Sequence, residues 1–272
     1  MYKDNFEKKY MIWVEQLGKI INNNFYNLVI SDNLVSPLQF NSNCILFGSF
    51  LWHDIVKKTN ENRNVFNFEK QLFRKTRPII YGMKNFIMPE IMEYGDFREF
   101  PSLVEKFKPI YKKKNINHKL FITSGKSGDL LQKYKQIAIA LNQNSNLEVT
   151  YDPAMRGGLI NENFFDYSDK SFSDLSAIIA RPGIGIITDS IRYNIPIIVD
   201  LSYENKEIEH NALKINKLGI GKRLNFDSKK SFVKDILNFL EDKKSHDSVV
   251  NKLKNFPDGG ASLIADSIIE KL

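Results

Sequence analysis

The chain reads as an α/β protein of two Rossmann-like domains, each a parallel sheet flanked by helices, and three observations predict this. The runs NLVISD (Asn27–Asp32), CILFGSF (Cys44–Phe50), KLFITSG (Lys119–Gly125), SAIIARPG (Ser176–Gly183) and IPIIVDL (Ile195–Leu201) are short and rich in branched and aromatic residues. Continuous apolar runs of that length suit strands buried on both faces. Segments with apolar residues at helical spacing separate them, which is the alternation of βαβ units. The 272 residues, 42% of them hydrophobic, are enough for two domains with cores of their own.

Taken in order, Tyr10–Asn22 places Trp13, Leu17, Ile20 and Ile21 at helical spacing ahead of the first strand. Val65–Lys75 repeats the pattern with Phe66, Phe68, Leu72 and Phe73, and RPIIYG (Arg77–Gly82) is a third short strand. The next segment, MKNFIMPEIMEYGDFREFP, sustains neither period and reads as an ordered loop. A domain boundary falls between Pro101 and His118, giving an N-terminal domain of residues 1–110 and a C-terminal domain of residues 118–272.

The second domain begins with the strand Lys119–Gly125, a helix over Asp129–Asn142, the strand LEVTY (Leu147–Tyr151) and a polar loop. Strand Ser176–Gly183 leads into a helix over Ile186–Tyr193, strand Ile195–Leu201 into a helix over Lys206–Leu218, and a short GIGKRL segment follows. Helices over Lys229–Asp242 and Ala261–Leu272 close the chain, and no internal repeat of fixed period is found.

The net charge of +7, from 39 basic against 32 acidic residues, is a modest bias carried by scattered lysines, and no nucleic-acid partner is expected from it. The densest group, Lys112–Lys114 with Lys106, Lys108 and Lys119, reads first as a solvated linker and second as a peripheral contact with phosphates or an anionic membrane. The single cysteine, Cys44, lies in an apolar run and has no internal partner, which suits a reducing compartment. The charged N-terminus lacks a signal peptide's apolar stretch, and no window approaches the ~20 apolar residues of a span. A cytoplasmic protein is expected, touching at most the inner face of the membrane. A D-x-D motif is absent and the four histidines are far apart, so neither a metal site nor a cofactor is expected.

The strongest local signal is ARPGIGIITDS (Ala180–Ser190), a buried strand turning into a helix. Gly183 and Gly185 let the backbone approach a ligand, and the helix start offers unpaired N–H groups to a phosphate. A strand-to-helix turn also uses glycine for steric reasons alone. Asp189, one turn into that helix, is placed to accept from ribose hydroxyls, or simply to complement the helix dipole. In the later helix Glu207, His210 and Asn211 share one face while Glu209 points elsewhere; an ordinary polar face has the same spacing.

The run SDLSAIIARPGIGIITDSIRYNIPIIVDLSYENKEIEHNALKINKLGIGKRL resembles the C-terminal domain of GT-B glycosyltransferases of the MurG-like type (glycosyltransferase family 28), over roughly Phe164 to Leu224. The shared parts are a strand ending in a Gly-rich turn, a helix with an acidic residue in its opening, a Pro-led strand, and an acidic segment ending in Asn-Ala. The resemblance implies that Gly183 and Gly185 line a diphosphate, that Asp189 takes the place of a ribose-binding Glu, and that Glu207, His210 and Asn211 belong to the donor-sugar segment. It departs from the family in having Asp at 189 and Ile208 where many relatives carry Gln. TSGKSGD (Thr123–Asp129) resembles the first loop of that domain, with Ser124, Gly125 and Ser127 as donors to the phosphates; it is not a P-loop. Lys126 and Arg181 would stabilise the diphosphate leaving group.

In the N-terminal half, VISD and CILFGSFLWHDIV resemble more weakly the acceptor-binding domain of such transferases, placing Asp32, Trp52, His53 and Asp54 near the acceptor. His53 is the candidate general base, its ordinary pKa lying near neutrality; a loop-bonding histidine is the plainer role. The chain starts with a polar helix where the family has a strand and a Gly-rich loop, so the N-terminal domain reads as incomplete. The resemblance implies transfer of a sugar from a nucleotide-diphosphate donor, by analogy a UDP-sugar, to a glycan or lipid-linked acceptor held between the domains, in a groove near Trp52 and Phe86. A catalytically impaired nucleotide-sugar-binding protein or partner-dependent subunit is the first alternative, and a nucleotide-sugar hydrolase or epimerase the second.

Overall fold

The computed structural model describes residues 6–24, 26–56, 62–107, 118–125, 130–144, 146–157, 163–227 and 229–270. In chain order the elements are α1 (Phe6–Asn24), β1 (Val29–Asp32), β2 (Cys44–Phe47), the single-turn α2 (Trp52–Ile55), α3 (Arg63–Thr76), β3 (Ile79–Met83) and β4 (Asp96–Phe100). Then come β5 (His118–Thr123), α4 (Leu131–Asn142), β6 (Leu147–Tyr151), α5 (Asp169–Ser173), β7 (Ala177–Ala180), α6 (Ile184–Tyr193) and β8 (Ile197–Asp200). The chain closes with α7 (Lys206–Leu218), β9 (Gly221–Leu224), α8 (Lys229–Glu241), α9 (Lys243–Lys254) and α10 (Gly260–Ile269). Among the described residues no helix is long and apolar enough to cross a membrane.

Two compact units form, Met1–Pro101 with Gly260–Leu272, and Ser102–Gly259. In the first, four parallel strands run in the order β1-β2-β3-β4. Its core gathers Leu46, Leu51, Phe73, Ile80 and Ile91, all buried. Helix α3 contributes because Val65, Phe66, Glu69 and Phe73 recur along one stripe, and it stops where Arg77 turns left-handed just ahead of Pro78.

Strand β4 lies within the segment expected to be a loop. It sits at the sheet edge, half of it open to water, so it carries no continuous apolar run; its pairing with β3, from Ile79 against Asp96 to Met83 against Phe100, makes it a strand. Helix α10, which the sequence reading joined to the second domain, belongs to the first unit, where the Ser267 hydroxyl bonds the Tyr81 hydroxyl at 2.6 Å and accepts from Arg98.

The second unit has five parallel strands in the order β6-β5-β7-β8-β9. Every residue of β7 is fully buried, and the Phe121, Ile122, Ile179, Ile197 and Ile198 side chains fill the sheet's two faces. The GIGKRL segment supplies β9, paired with β8 from Ile197 against Gly221 to Asp200 against Leu224. Helix α9 was not foreseen. It is mostly polar and buries only Val249 and Leu253, and its start is set by Asp242, whose carboxylate accepts from the Ser245 N–H at 3.1 Å.

Strand order reverses at β5: the chain moves to one side to form β6 and to the other to form β7, β8 and β9. In sheets wound both ways the loops leaving the two strands at the reversal part to opposite faces, leaving a crevice at their C-terminal ends. Here those ends carry Ser124-Gly125 after β5 and Arg181-Pro182-Gly183 after β7.

Candidate functional site

At the β5 end, Gly125 adopts φ +69, the left-handed region that glycine alone enters without strain. Its N–H donates to the Thr123 hydroxyl at 3.1 Å, and that hydroxyl donates to Asp152 at 2.6 Å. Ser124 is 2% exposed, with its hydroxyl toward the Gly125 carbonyl, so it is not offered to a phosphate as the sequence suggested. Lys126 and Ser127 lie outside the described residues.

At the β7 end, Gly183 is the N-cap of α6 and supplies no side-chain acceptor to the helix's first N–H groups. Gly183 lies at φ −72, ψ 158, an extended conformation open to other residues. Among the described residues, a Cβ added there would meet only the Arg181 guanidinium, at 3.9 Å, and one added at Gly185 would meet nothing within 4 Å. No described residue therefore supplies a steric need for either glycine. No described residue fills the space before them, and the helix start faces it with its unpaired donors and the positive end of its dipole.

The Arg181 side chain spans both turns, with Nη1 3.9 Å from the Cβ positions of Gly125 and of Gly183. It borders a cavity of ≈ 520 Å³ together with Leu130, Lys133, Asp200, Ser202 and Tyr203. The floor of this cavity is a bonded network. The Tyr203 hydroxyl accepts from the Asp200 N–H at 2.9 Å and lies 3.1 Å from the Tyr134 hydroxyl, while one Asp200 carboxylate oxygen takes the N–H groups of Leu201 and Phe226. Lys133 pairs with Asp200 and with Asp227; burial works against its charge, but those two bonds outweigh it and raise its pKa. Sequence reasoning missed Lys133, Asp200 and Tyr203; the one available signal was that Asp200 ends a buried strand at the sheet's ligand-facing edge.

Asp189 is half-buried on α6, and burial lifts its carboxyl above the ordinary value against the pull of Arg192. Tyr167 comes near it. That residue is held at φ +57, its ring edge-on to Phe121 and Phe165, and burial first, then the Asp152 charge and hydrogen bond, then the Asp189 charge, raise its hydroxyl pKa. Tyr167 was also missed, lying in what the sequence shows only as a polar loop. An aromatic residue in a left-handed conformation is strained unless its surroundings fix it.

The α7 residues divide. Asn211 is fully buried, and its amide donates to the Pro182 carbonyl at 3.0 Å and to Glu207 at 3.5 Å. Glu207 is buried too, and burial raises its carboxyl above the ordinary range, opposed by Arg181 and Asn211. Asn211 thus anchors the turn ahead of α6 from behind and does not face open space, a correction to its assignment as a donor contact. His210 is half-exposed. Glu209 does point elsewhere, accepting from the Tyr203 N–H at 3.0 Å and pairing with Arg223 at 2.7 Å.

In the first unit, Asp32 is exposed at the C-terminal end of β1. The His53 ring is wholly buried, its Nδ1 3.5 Å from Glu69 and its Nε2 3.5 Å from Asp54, against the rings of Phe66 and Tyr94. An acceptor hydroxyl has no access to it, which corrects its candidacy as general base. Phe86 is likewise fully buried and lines no acceptor groove.

No protein-family model matches the chain, and neither does any curated protein sequence. Solved structures do match. The glycotransferase of kitacinnamycin superposes with a TM-score of 0.64 at 12% identity, over 96% of this chain and 79% of that one. The spinosyn rhamnosyltransferase SpnG in complex with thymidine diphosphate gives 0.62 at 12% identity, over 96% and 78%. A protein described as a UDP-N-acetylglucosamine 2-epimerase from Listeria monocytogenes gives 0.57 at 14% identity, over 95% and 79%. The chain has the α/β fold with parallel sheets of GT-B glycosyltransferases.

Proposed function

We propose that the unit Ser102–Gly259 binds the nucleotide-diphosphate portion of a sugar donor and that the protein transfers the sugar to an acceptor hydroxyl. The observation that carries this reading is the turn at the β5/β7 reversal, where two glycines that crowd no described residue but Arg181 stand at a helix start, beside that one guanidinium. A diphosphate there would accept from the first-turn N–H groups of α6, and Arg181 would offset the charge that grows on it as the glycosidic bond breaks. Asp189 and the Tyr167 hydroxyl would take the ribose hydroxyls. The motif order from Ala180 to Ala212 favours a MurG-like donor half, with a UDP-sugar as first choice; the thymidine diphosphate held by SpnG makes TDP the second.

With His53 enclosed, Asp32 is the acidic group proposed to take the acceptor's proton. Work on the cytoplasmic side, on a glycan or lipid-linked acceptor and without a cofactor, belongs to the same proposal. The enclosure of His53 also favours a second reading, a binding protein without transfer activity, and the fold shared with the protein described as an epimerase keeps nucleotide-sugar epimerisation or hydrolysis beside it.

Calorimetric titration with UDP, GDP and TDP tests the donor site, using wild type, Gly183→Val and Asp189→Ala. Binding of one nucleotide, weakened by both substitutions in folded protein, supports it. Absence of binding to folded wild type, or binding that neither substitution alters, overturns it. Transfer assays with the matching nucleotide-sugars then separate an active transferase from a binding protein, and release of free sugar or of an epimer identifies the remaining chemistry.

A further inference from the structure

The neighbours of the Tyr167 hydroxyl commit it to one hydrogen-bonding role. Asp152, the residue after β6, takes the Ala154 N–H at 2.8 Å on one carboxylate oxygen, the Thr123 hydroxyl at 2.6 Å on the other, and the hydroxyl of Tyr167. A carboxylate has no proton to return. The single hydroxyl proton of Tyr167 therefore lies toward Asp152, and to any further partner the oxygen can only accept.

The ring that carries this hydroxyl is held. Tyr167 stands at φ +57, and its ring packs edge-on to those of Phe121, Phe165 and Phe172, with centroids 5.6, 5.3 and 6.2 Å away. Such a conformation persists only where the surroundings fix it. Even so, 46% of the residue is open to solvent, so a ligand can reach it.

The second group is Asp189 of α6, close enough for its charge to act on the same hydroxyl. As a carboxylate it too only accepts. Burial works against its charge, Arg192 offsets this in part, and hydrogen-bond donors brought by a ligand would offset it further. Two neighbouring acceptors, neither able to donate, call for a ligand with two donors side by side. Within a nucleotide the 2′- and 3′-hydroxyls of ribose supply that pair, whereas 2′-deoxyribose supplies only one.

We infer that this site selects ribonucleoside diphosphates over their deoxyribose counterparts, with Tyr167 as a specificity-determining residue beside Asp189. The inference rests on the donor-site reading above. Within it, hydrogen-bond direction favours a UDP-sugar over a TDP-sugar on grounds independent of motif order, because TDP lacks the 2′-hydroxyl.

Calorimetry on the full chain tests it with UDP, GDP and 5-methyluridine diphosphate, each beside its 2′-deoxy and 3′-deoxy forms; the 2′-deoxy form of the last is TDP. Base and diphosphate are constant within a set, so differences report the hydroxyls. For the base that binds, each deoxy form should be weaker than its parent by roughly 10–100-fold, the effect of leaving an acceptor without its donor. Tyr167→Phe keeps the ring and removes the hydroxyl. It should weaken the ribonucleotide by roughly tenfold and bring one of the two deoxy forms level with it.

A 2′-deoxy form that binds as tightly as its parent overturns the inference, as does folded Tyr167→Phe with the affinity ratios of wild type. If Gly183→Val still weakens binding in either case, the donor-site reading stands without it. Failure of every probe to bind folded wild type overturns both. If Tyr167→Phe does not fold, the comparison of parent and deoxy forms on wild type decides.

Discussion

The side-chain amide of Asn211 on α7 donates to the carbonyl of Pro182 at 3.0 Å, tying that helix to the turn that opens α6. The two residues are 29 positions apart, and the bond is wholly buried. Asn211 therefore holds the proposed phosphate turn in place without facing a ligand. Asn211→Ala leaves the Pro182 carbonyl unsatisfied in the interior and is expected to destabilise the protein by about 1–3 kcal/mol. Urea unfolding measures that loss. Nucleotide affinity should fall in the folded variant, because the turn loses its anchor; an unchanged affinity would separate Asn211 from the site.

Gly185→Ala is expected to act in opposite directions on stability and binding. The position is helical and a Cβ there meets no described residue within 4 Å, so alanine adds helix propensity, about 0.5–1 kcal/mol, without crowding any of them. The same methyl occupies the space proposed for the diphosphate. A raised midpoint in thermal unfolding, together with nucleotide binding weakened by roughly tenfold or more (~1.4 kcal/mol), is the predicted pair of results. Stabilisation with unaltered binding would move the ligand away from this turn.

Asp189→Asn is expected to stabilise the free protein at neutral pH. Burial raises the folded-state pKa of Asp189 above its unfolded value, against Arg192, so folding favours the protonated acid. The stability this contributes is full below the unfolded pKa, about 3.9, and is lost as pH rises through the higher folded value. The asparagine variant escapes that loss. Its melting temperature should exceed wild type above pH 6, by at most ~2–4 °C because water still reaches the carboxylate, and the gap should close toward pH 4. Nucleotide binding should be lost in the same variant.

His53→Ala is expected to destabilise the first unit by roughly 2–4 kcal/mol, through the void it leaves beside Phe66 and Tyr94 and the two carboxylates it leaves facing one another. Any loss of transfer activity should track the loss of folded protein across a urea series. Activity abolished in fully folded His53→Ala would restore the histidine to the chemistry.

The strand at Ala177–Ala180, the glycine turn after it and the helix that follows were legible because each is written locally, as an apolar run, a pair of glycines and a helical period. Strand β4 and helix α9 were not, for one is an edge strand half in water and the other a charged helix that buries two side chains. Their patterns resemble those of loops until a neighbour pairs with them. Tyr167 had no local mark at all, since its left-handed backbone and its ring contacts with Phe121 and Phe165 arise only in the folded chain.

By itself the sequence determined the α/β class, the alternation of strands and helices, and the presence of a glycine turn with an acidic residue one helical turn beyond, all of which depend on residues close together along the chain. Only the tertiary structure decided the strand reversal at β5, the reach of Arg181 across two turns, the place of α10 in the first unit, and the enclosure of Ser124, His53 and Asn211. Burial and charge pairing arise from contacts between residues tens to hundreds of positions apart. A polar side chain at the end of a strand therefore reads the same in sequence whether it faces a ligand or is sealed behind the turn that does.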